Sequence, residues 1–190
     1  MELKFQKFCL VMDYSFPAML LLIFMQAEYS IIKQSFLVCL IHELGHGIAI
    51  CLTNAGLREI RFYAAGVRMI TNSALLRTGQ VLTVCLSGPV LNLLCAVLYW
   101  KCSPETAFLH LSMGLFNLLP FRILDGGAVL ECLLETRTEA LQFRKFFCLF
   151  LSVLSIFLLY FFHFQNPALY LTAVCLAFSE FTVDKLPPLW

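Results

Sequence analysis

The chain has 190 residues, 61% hydrophobic and 13% charged, with a mean hydropathy of +0.85 and a net charge of +1. An ordinary soluble domain, with about 25% charged residues, is excluded. The small net charge and the lack of a basic arm give no footing for nucleic acid. Apolar runs of membrane-spanning length recur instead, so the expectation is an all-α polytopic membrane protein. The nine cysteines stand singly with no CxxC pair, which argues against a disulfide framework or a cysteine zinc cluster. The opening MELKFQKF reads as no signal peptide, since no small-residue cleavage site follows the first apolar run.

The segment LKFQKFCLVM (3–12) alternates weakly and is rich in β-formers, which predicts a short strand. A first span is expected over about 15–32, with Pro17 early, where a helix tolerates it. A second follows at about 34–53. LREIRFYAAGVRMI (57–70) is too charged to span, and its alternation, interrupted at Ala65-Gly66, predicts a β-hairpin. The third span is expected at about 78–100 and holds SGPVLN. The fourth begins after Pro104 and runs to about Leu119, where NLLPFRILDGG breaks it. Residues 128–143 read as an amphipathic surface helix; the fifth and sixth spans fall at about 146–163 and 167–183.

Basic residues orient this layout. With the N-terminus, the 54–77 loop, the 120–145 segment and the C-terminus on one side, that side carries eleven Lys and Arg. The other side carries only Lys33 and Lys101. The basic side is therefore expected to be cytoplasmic, with six spans and both termini inside.

The second span carries LIHELGHGIAI (40–50). His42 and His46 are four apart and lie on one face of a helix, about one turn from each other. Two imidazoles so placed can bind one metal ion. Glu43 sits about 100° around the helix, close enough to act as general base toward a metal-bound water, the chemistry of HExxH. Ionisable groups inside a span are costly and point to function by default. Gly45 and Gly47 are expected to leave room for a neighbouring helix, or for water and substrate.

A catalytic zinc site needs a third protein ligand. His110 and His163 fall toward the non-cytoplasmic side and read as interfacial or packed residues. Asp125 lies in LLPFRILDGG, where a span ends in a proline and two glycines. Broken backbone at membrane depth is tolerated only where protein or a water-filled cavity surrounds it. Asp125 is thus favoured over Glu131 or Glu135, whose i, i+4 spacing suits a zinc-binding helix but whose segment reads as a solvated face.

HELGH in the second span, SGPVLN in the third and FNLLPFRILDGG closing the fourth resemble the site-2 protease family of intramembrane zinc metalloproteases. Within that family, the motifs resemble the bacterial branch that includes the sporulation pro-sigma-factor protease. The resemblance covers about residues 1–130 and implies that His42, His46 and Asp125 hold one Zn2+ ion while Glu43 is the base. It further implies that Asn117 helps to hold the substrate carbonyl or oxyanion, a role an amide donor near a metal can fill. The competing role for Asn117 is a helix cap or interhelical hydrogen bond. Asn92 and Pro89 match the family's third-span motif and are read as structural, a kink and an interhelical amide.

The 57–70 hairpin resembles the family's membrane-associated hairpin. A protease needs extended substrate, and a strand edge near Ala65 and Gly66 can hold it by β-augmentation; the 3–12 strand is expected to pair with this hairpin. Three residues depart from the family pattern. Ile123 stands where Pro is common, Ala128 where Arg is common, and Ala65 where Gly is common. They bear on loop geometry and substrate choice and remove no ligand. A single transmembrane metalloprotease domain over 1–190 follows, with no PDZ or CBS domain. Its expected partners are the lipid bilayer and a membrane-tethered protein substrate, and its location is a bacterial cytoplasmic membrane. The other classes weighed are a non-catalytic helix-binding pseudoprotease, which has no need of Glu43, and a metal transporter, which lacks further ligands along a path. Neither the substrate nor the oligomeric state is legible.

Overall fold

The structure, a computed structural model, describes residues 2–4, 9–14, 17, 29–63, 66–71, 76–134, 138–163 and 166–182. The fold is mostly helical with a small sheet, in two compact units that divide between Asn117 and Leu118.

The first unit holds strands β1 (Glu2–Lys4), β2 (Cys9–Met12), β3 (Leu57–Tyr63) and β4 (Gly66–Thr71), and helices α1 (Tyr29–Thr53), α2 (Thr78–Tyr99) and α3 (Pro104–Asn117). The sheet order is β1-β2-β3-β4. The expected hairpin is present: β3 and β4 pair antiparallel with Tyr63 opposite Gly66. Gly66 is thus already a strand residue, while Ala65 lies outside the described residues. The single strand expected over 3–12 is instead two strands, antiparallel to each other, and only β2 joins the hairpin, parallel to β3. Among the described residues β4 pairs on one side only, with β3.

Local chemistry sets the helix ends. Asn54 takes a left-handed backbone (φ 51°) just after α1, and the Ala55 N–H donates to Ile50 O at 3.1 Å, closing the last turn. Gln80 accepts from the Arg77 N–H and donates to Thr53 O, both at 2.9 Å, tying the start of α2 to the end of α1. Ser103 and Pro104 open α3, with proline in the first turn, where its missing N–H costs nothing.

Helix α1 is sorted into two faces. Phe36, Leu40, Leu44 and Ile48, each four apart, are exposed; Val38, His42, His46, Ala49 and Ile50 are buried. Apolar side chains outward and imidazoles inward reverse the order of a soluble helix, as lipid as the solvent demands. Where α1, α2 and the hairpin meet, Ala49, Ile50, Ala55 and Val84 form a core closed by Leu57, Met69 and Leu76. Gly45 makes the helix contact possible: a Cβ there would meet Ser87 O at 2.7 Å and the Gly88 Cα at 2.9 Å. Gly47 behaves differently, since a Cβ there would meet nothing within 4 Å. The expectation of a close neighbour holds for Gly45 and not for Gly47.

The second unit holds the loop 118–124 and helices α4 (Asp125–Leu134), α5 (Thr138–Phe161) and α6 (Pro167–Thr182). The amphipathic helix expected over 128–143 is a correction. Its first part belongs to α4, residues 135–137 lie outside the described residues, and its last part already belongs to α5. Phe121, Leu124, Cys148 and Leu176 form the core here. Ile123, where the family pattern has proline, packs against this core.

Among the described residues, three helices are long and apolar enough to cross a membrane: Ile32–Thr53, Thr78–Tyr99 and Thr138–Phe161. They match the expected second, third and fifth spans. α3 and α6 are shorter, with 14 and 16 residues. Most of the expected first span, residues 15, 16 and 18–28, lies outside the described residues.

Candidate metal centre

In the first unit the two HELGH histidines face each other. Their Nε2 atoms are 3.2 Å apart and their rings meet edge to face. Both side chains are buried. Two nitrogens on one tetrahedral zinc, each at 2.0–2.1 Å, are separated by roughly 3.3 Å. The pair is therefore spaced to share such an ion without rearrangement.

Each ring is held from behind. The His46 Nδ1 lies 2.8 Å from Val84 O on α2. A carbonyl only accepts, so this nitrogen carries the proton and Nε2 keeps its lone pair. The His42 Nδ1 lies 3.2 Å from the Asn92 side-chain nitrogen, and Asn92 in turn contacts the His110 Nδ1 at 3.1 Å through Oδ1. Such outer partners fix the orientation of metal-binding imidazoles. Gly88 forms the floor. A Cβ there would collide with the His46 Nε2 and come within 2.7 Å of its Cε1 and 3.0 Å of the His42 Cε1. The residue at this position must be glycine for the imidazoles to lie against the α2 backbone. Two buried imidazoles whose Nε2 atoms face each other suit a borderline-soft divalent cation such as zinc.

Glu43 follows His42 on α1 and is partly buried. Asn117 is the last residue of α3, and its amide donates to Met113 O at 3.0 Å, the hydrogen bond to a helix end that competes with a substrate role. His110, expected as interfacial or packed, is 1% exposed and stacks on Tyr99 with ring centroids 5.8 Å apart. His163 is exposed just past α5, with a left-handed backbone (φ 55°).

In the second unit Asp125 is the first residue of α4 and is buried. The two glycines that follow it are needed because the loop backbone folds back onto them. A Cβ at Gly126 would strike Leu118 O and lie 2.6 Å from Leu119 O; one at Gly127 would strike Phe121 O. The loop 118–122 is thus pressed against the first turn of α4, which Asp125, Gly126 and Gly127 form.

That loop is gripped by a charged cluster that the sequence reading missed. Arg144 on α5 donates to Pro120 O at 3.0 Å and pairs with Glu180 on α6 at 3.1 Å. Glu180 also accepts the Arg122 N–H at 2.8 Å. The Cys148 thiol donates to Pro120 O at 3.2 Å. Arg144 and Glu180 are 4% and 2% exposed, so this is a buried pair. The available signal was Glu180 in an otherwise apolar helix, which requires a cationic partner. Glu131 does not sit on a solvated face. It is bound by Arg122 at 2.6 Å and Arg144 at 3.5 Å. Burial pushes its carboxyl up from the usual range, and the two guanidiniums oppose that. Its rival, Glu135, lies outside the described residues.

Breaking a buried pair from one side is costly. Glu180→Leu is expected to destabilise the protein by roughly 3–5 kcal/mol, because it takes the nearer carboxylate from the buried Arg144 and leaves it only Glu131 at 3.5 Å. Adding Arg144→Met should recover most of that loss. Thermal unfolding in detergent reads both, and a double variant no more stable than Glu180→Leu alone would refute the pairing.

Comparison with known proteins bears on both units. Residues 104–161, which run from α3 through the Asp125 loop to the end of α5, match the model of Peptidase family M50. Among solved structures, the chain is similar to the Site-2 Protease from Methanocaldococcus jannaschii. The TM-score is 0.70 at 18% sequence identity, over 98% of this chain and 96% of that one. That likeness is one of fold. The comparison with curated proteins finds no match.

Proposed function

We propose that this chain, whose residues 104–161 match the model of Peptidase family M50 and whose fold is similar to that of a site-2 protease, is an intramembrane zinc endopeptidase that cuts a membrane-tethered protein near the cytoplasmic side. The family is one of zinc-dependent metalloproteases, and the apolar helices make the chain an integral membrane protein. The observation that carries the proposal is the His42–His46 pair, buried within an apolar helix with its Nε2 atoms spaced for one tetrahedral ion.

His42, His46 and Asp125 are the proposed ligands. All three are buried and offer the nitrogen and carboxylate donors that zinc accepts. Glu131 is the weaker carboxylate candidate, because Arg122 and Arg144 already engage it. When bound, zinc lowers the pKa of a water to about 7 and polarises a carbonyl.

The protein residues do the rest. The β4 edge, which begins at Gly66, pairs with an unwound stretch of substrate and holds its backbone extended. Glu43 takes the proton from the attacking water and gives it to the leaving amine. The Asn117 amide has two N–H donors. One is used by Met113 O, and the other is available to the substrate carbonyl as negative charge develops there. Eleven basic residues on one side set the cytoplasmic orientation, with both termini inside and six spans.

The test is metal removal and return. Purified protein should carry one zinc per chain and cleave a tethered test substrate. Chelation should abolish cleavage, and a stoichiometric amount of zinc should restore it. Full activity in metal-stripped protein would overturn the proposal.

A further inference from the structure

Behind the two histidines runs a chain of four buried polar residues across three helices: Val84 O to His46, His46 to His42, His42 to Asn92, and Asn92 to His110. Asn92 is fully buried, and His110 is packed under Tyr99. The Asn92 amide has one accepting and one donating end. Its two imidazole neighbours must therefore be opposite in kind. The ring that faces Oδ1 needs a proton on Nδ1; the ring that faces the amide nitrogen needs a lone pair there.

Two arrangements satisfy these four contacts, and they differ by a half-turn of the Asn92 amide, which keeps the heavy-atom spacing. In the first, the amide nitrogen donates to His42 and Oδ1 accepts from the His110 Nδ1–H. His42 then carries its proton on Nε2 and donates it to the His46 Nε2, 3.2 Å away. In the second, Oδ1 accepts from the His42 Nδ1–H, and the amide nitrogen donates to a bare His110 Nδ1. His42 now has a lone pair on Nε2, and His110 carries its proton on Nε2 instead of Nδ1. Each ring holds one proton in both arrangements, so the proton count is unchanged. Two lone pairs facing each other at 3.2 Å repel unless a cation or a donor proton lies between them. Only the second arrangement offers both lone pairs to a metal.

We propose that Asn92 and His110 are positioning residues that set the tautomer of His42, and that binding of the metal switches His110 from its Nδ1–H to its Nε2–H form. The proposal rests on the zinc assignment above. It extends a two-histidine half-site into a relay that reaches α3.

Imidazole 15N spectra of the full chain in detergent test it, with the protein free of metal and then with one equivalent of zinc. There are four histidines to assign, and His110→Gln identifies the relevant signals. Zinc alone should shift His42 and His46 and move His110 from Nδ1–H to Nε2–H. If His42 and His46 respond and His110 keeps its Nδ1 proton, the relay is wrong and the metal assignment stands. If neither His42 nor His46 responds, both fall. Asn92→Asp gives a second arm, because a carboxylate accepts from both rings at once. That variant should hold zinc within a few-fold of the parent, with His110 fixed as Nδ1–H throughout. A His110 that still switches in Asn92→Asp would overturn the relay. Asn92→Leu should lower zinc affinity about 10–100-fold, as loss of an outer-shell partner does elsewhere. Unchanged affinity in a folded Asn92→Leu protein would also overturn it.

Discussion

Replacing Glu43 with glutamine is expected to abolish cleavage while the protein still binds one zinc ion. The substitution keeps shape and hydrogen-bonding reach but removes the basic oxygen. General-base assistance contributes roughly 10²–10⁴-fold, and the same group also returns the proton to the leaving amine, so the loss should reach the upper end. Glu43 lies one residue beyond His42 on α1 and is partly buried, so little packing changes. Zinc content is the control that separates loss of the base from loss of the site. Cleavage at the parental rate by a zinc-loaded Glu43→Gln protein would dismiss Glu43 as the base. The same variant expressed in the native membrane should accumulate its uncleaved substrate, and so identify it.

Asp125→Asn is expected to lose zinc, whereas Glu131→Gln keeps it. The carboxamide is isosteric but offers only a neutral oxygen. The fall in affinity should exceed the roughly 10–100-fold that follows loss of an outer partner. Glu131 belongs to the Arg122 and Arg144 cluster, so its substitution should appear as reduced thermal stability with metal content intact. Zinc retained by Asp125→Asn and lost by Glu131→Gln would reverse the ligand assignment.

Much of the candidate site was legible because lipid makes polarity conspicuous. A soluble helix tolerates a chance HExxH; an apolar run such as LIHELGHGIAI does not. Other features needed the rotation of one helix against another, which composition does not encode. Gly45 and Gly47 look alike in sequence, yet two residues turn a helix by about 200°, and only Gly45 meets α2. His110 reads as interfacial or packed in the sequence and is packed, but what holds it was not legible. Its partner, Asn92, is 18 residues away on another helix. The Arg144–Glu180 pair spans 36 residues and joins two helices that were read separately. In the segment 3–12 the weak alternation was real, but it belongs to two short strands, and strand pairing is not encoded by alternation alone.

The β4 edge has a consequence for handling the protein. An open row of backbone donors and acceptors is indifferent to whose chain fills it, and soluble proteins blunt such edges to avoid self-association. β4 is one strand from the sheet interior, and among the described residues nothing pairs with its far side. The open edge proposed to receive an unwound substrate also makes the strand sticky at high concentration. In concentrated detergent solution two molecules can dock edge to edge and inhibit each other, and a short extended peptide should then both block the enzyme and keep it dispersed.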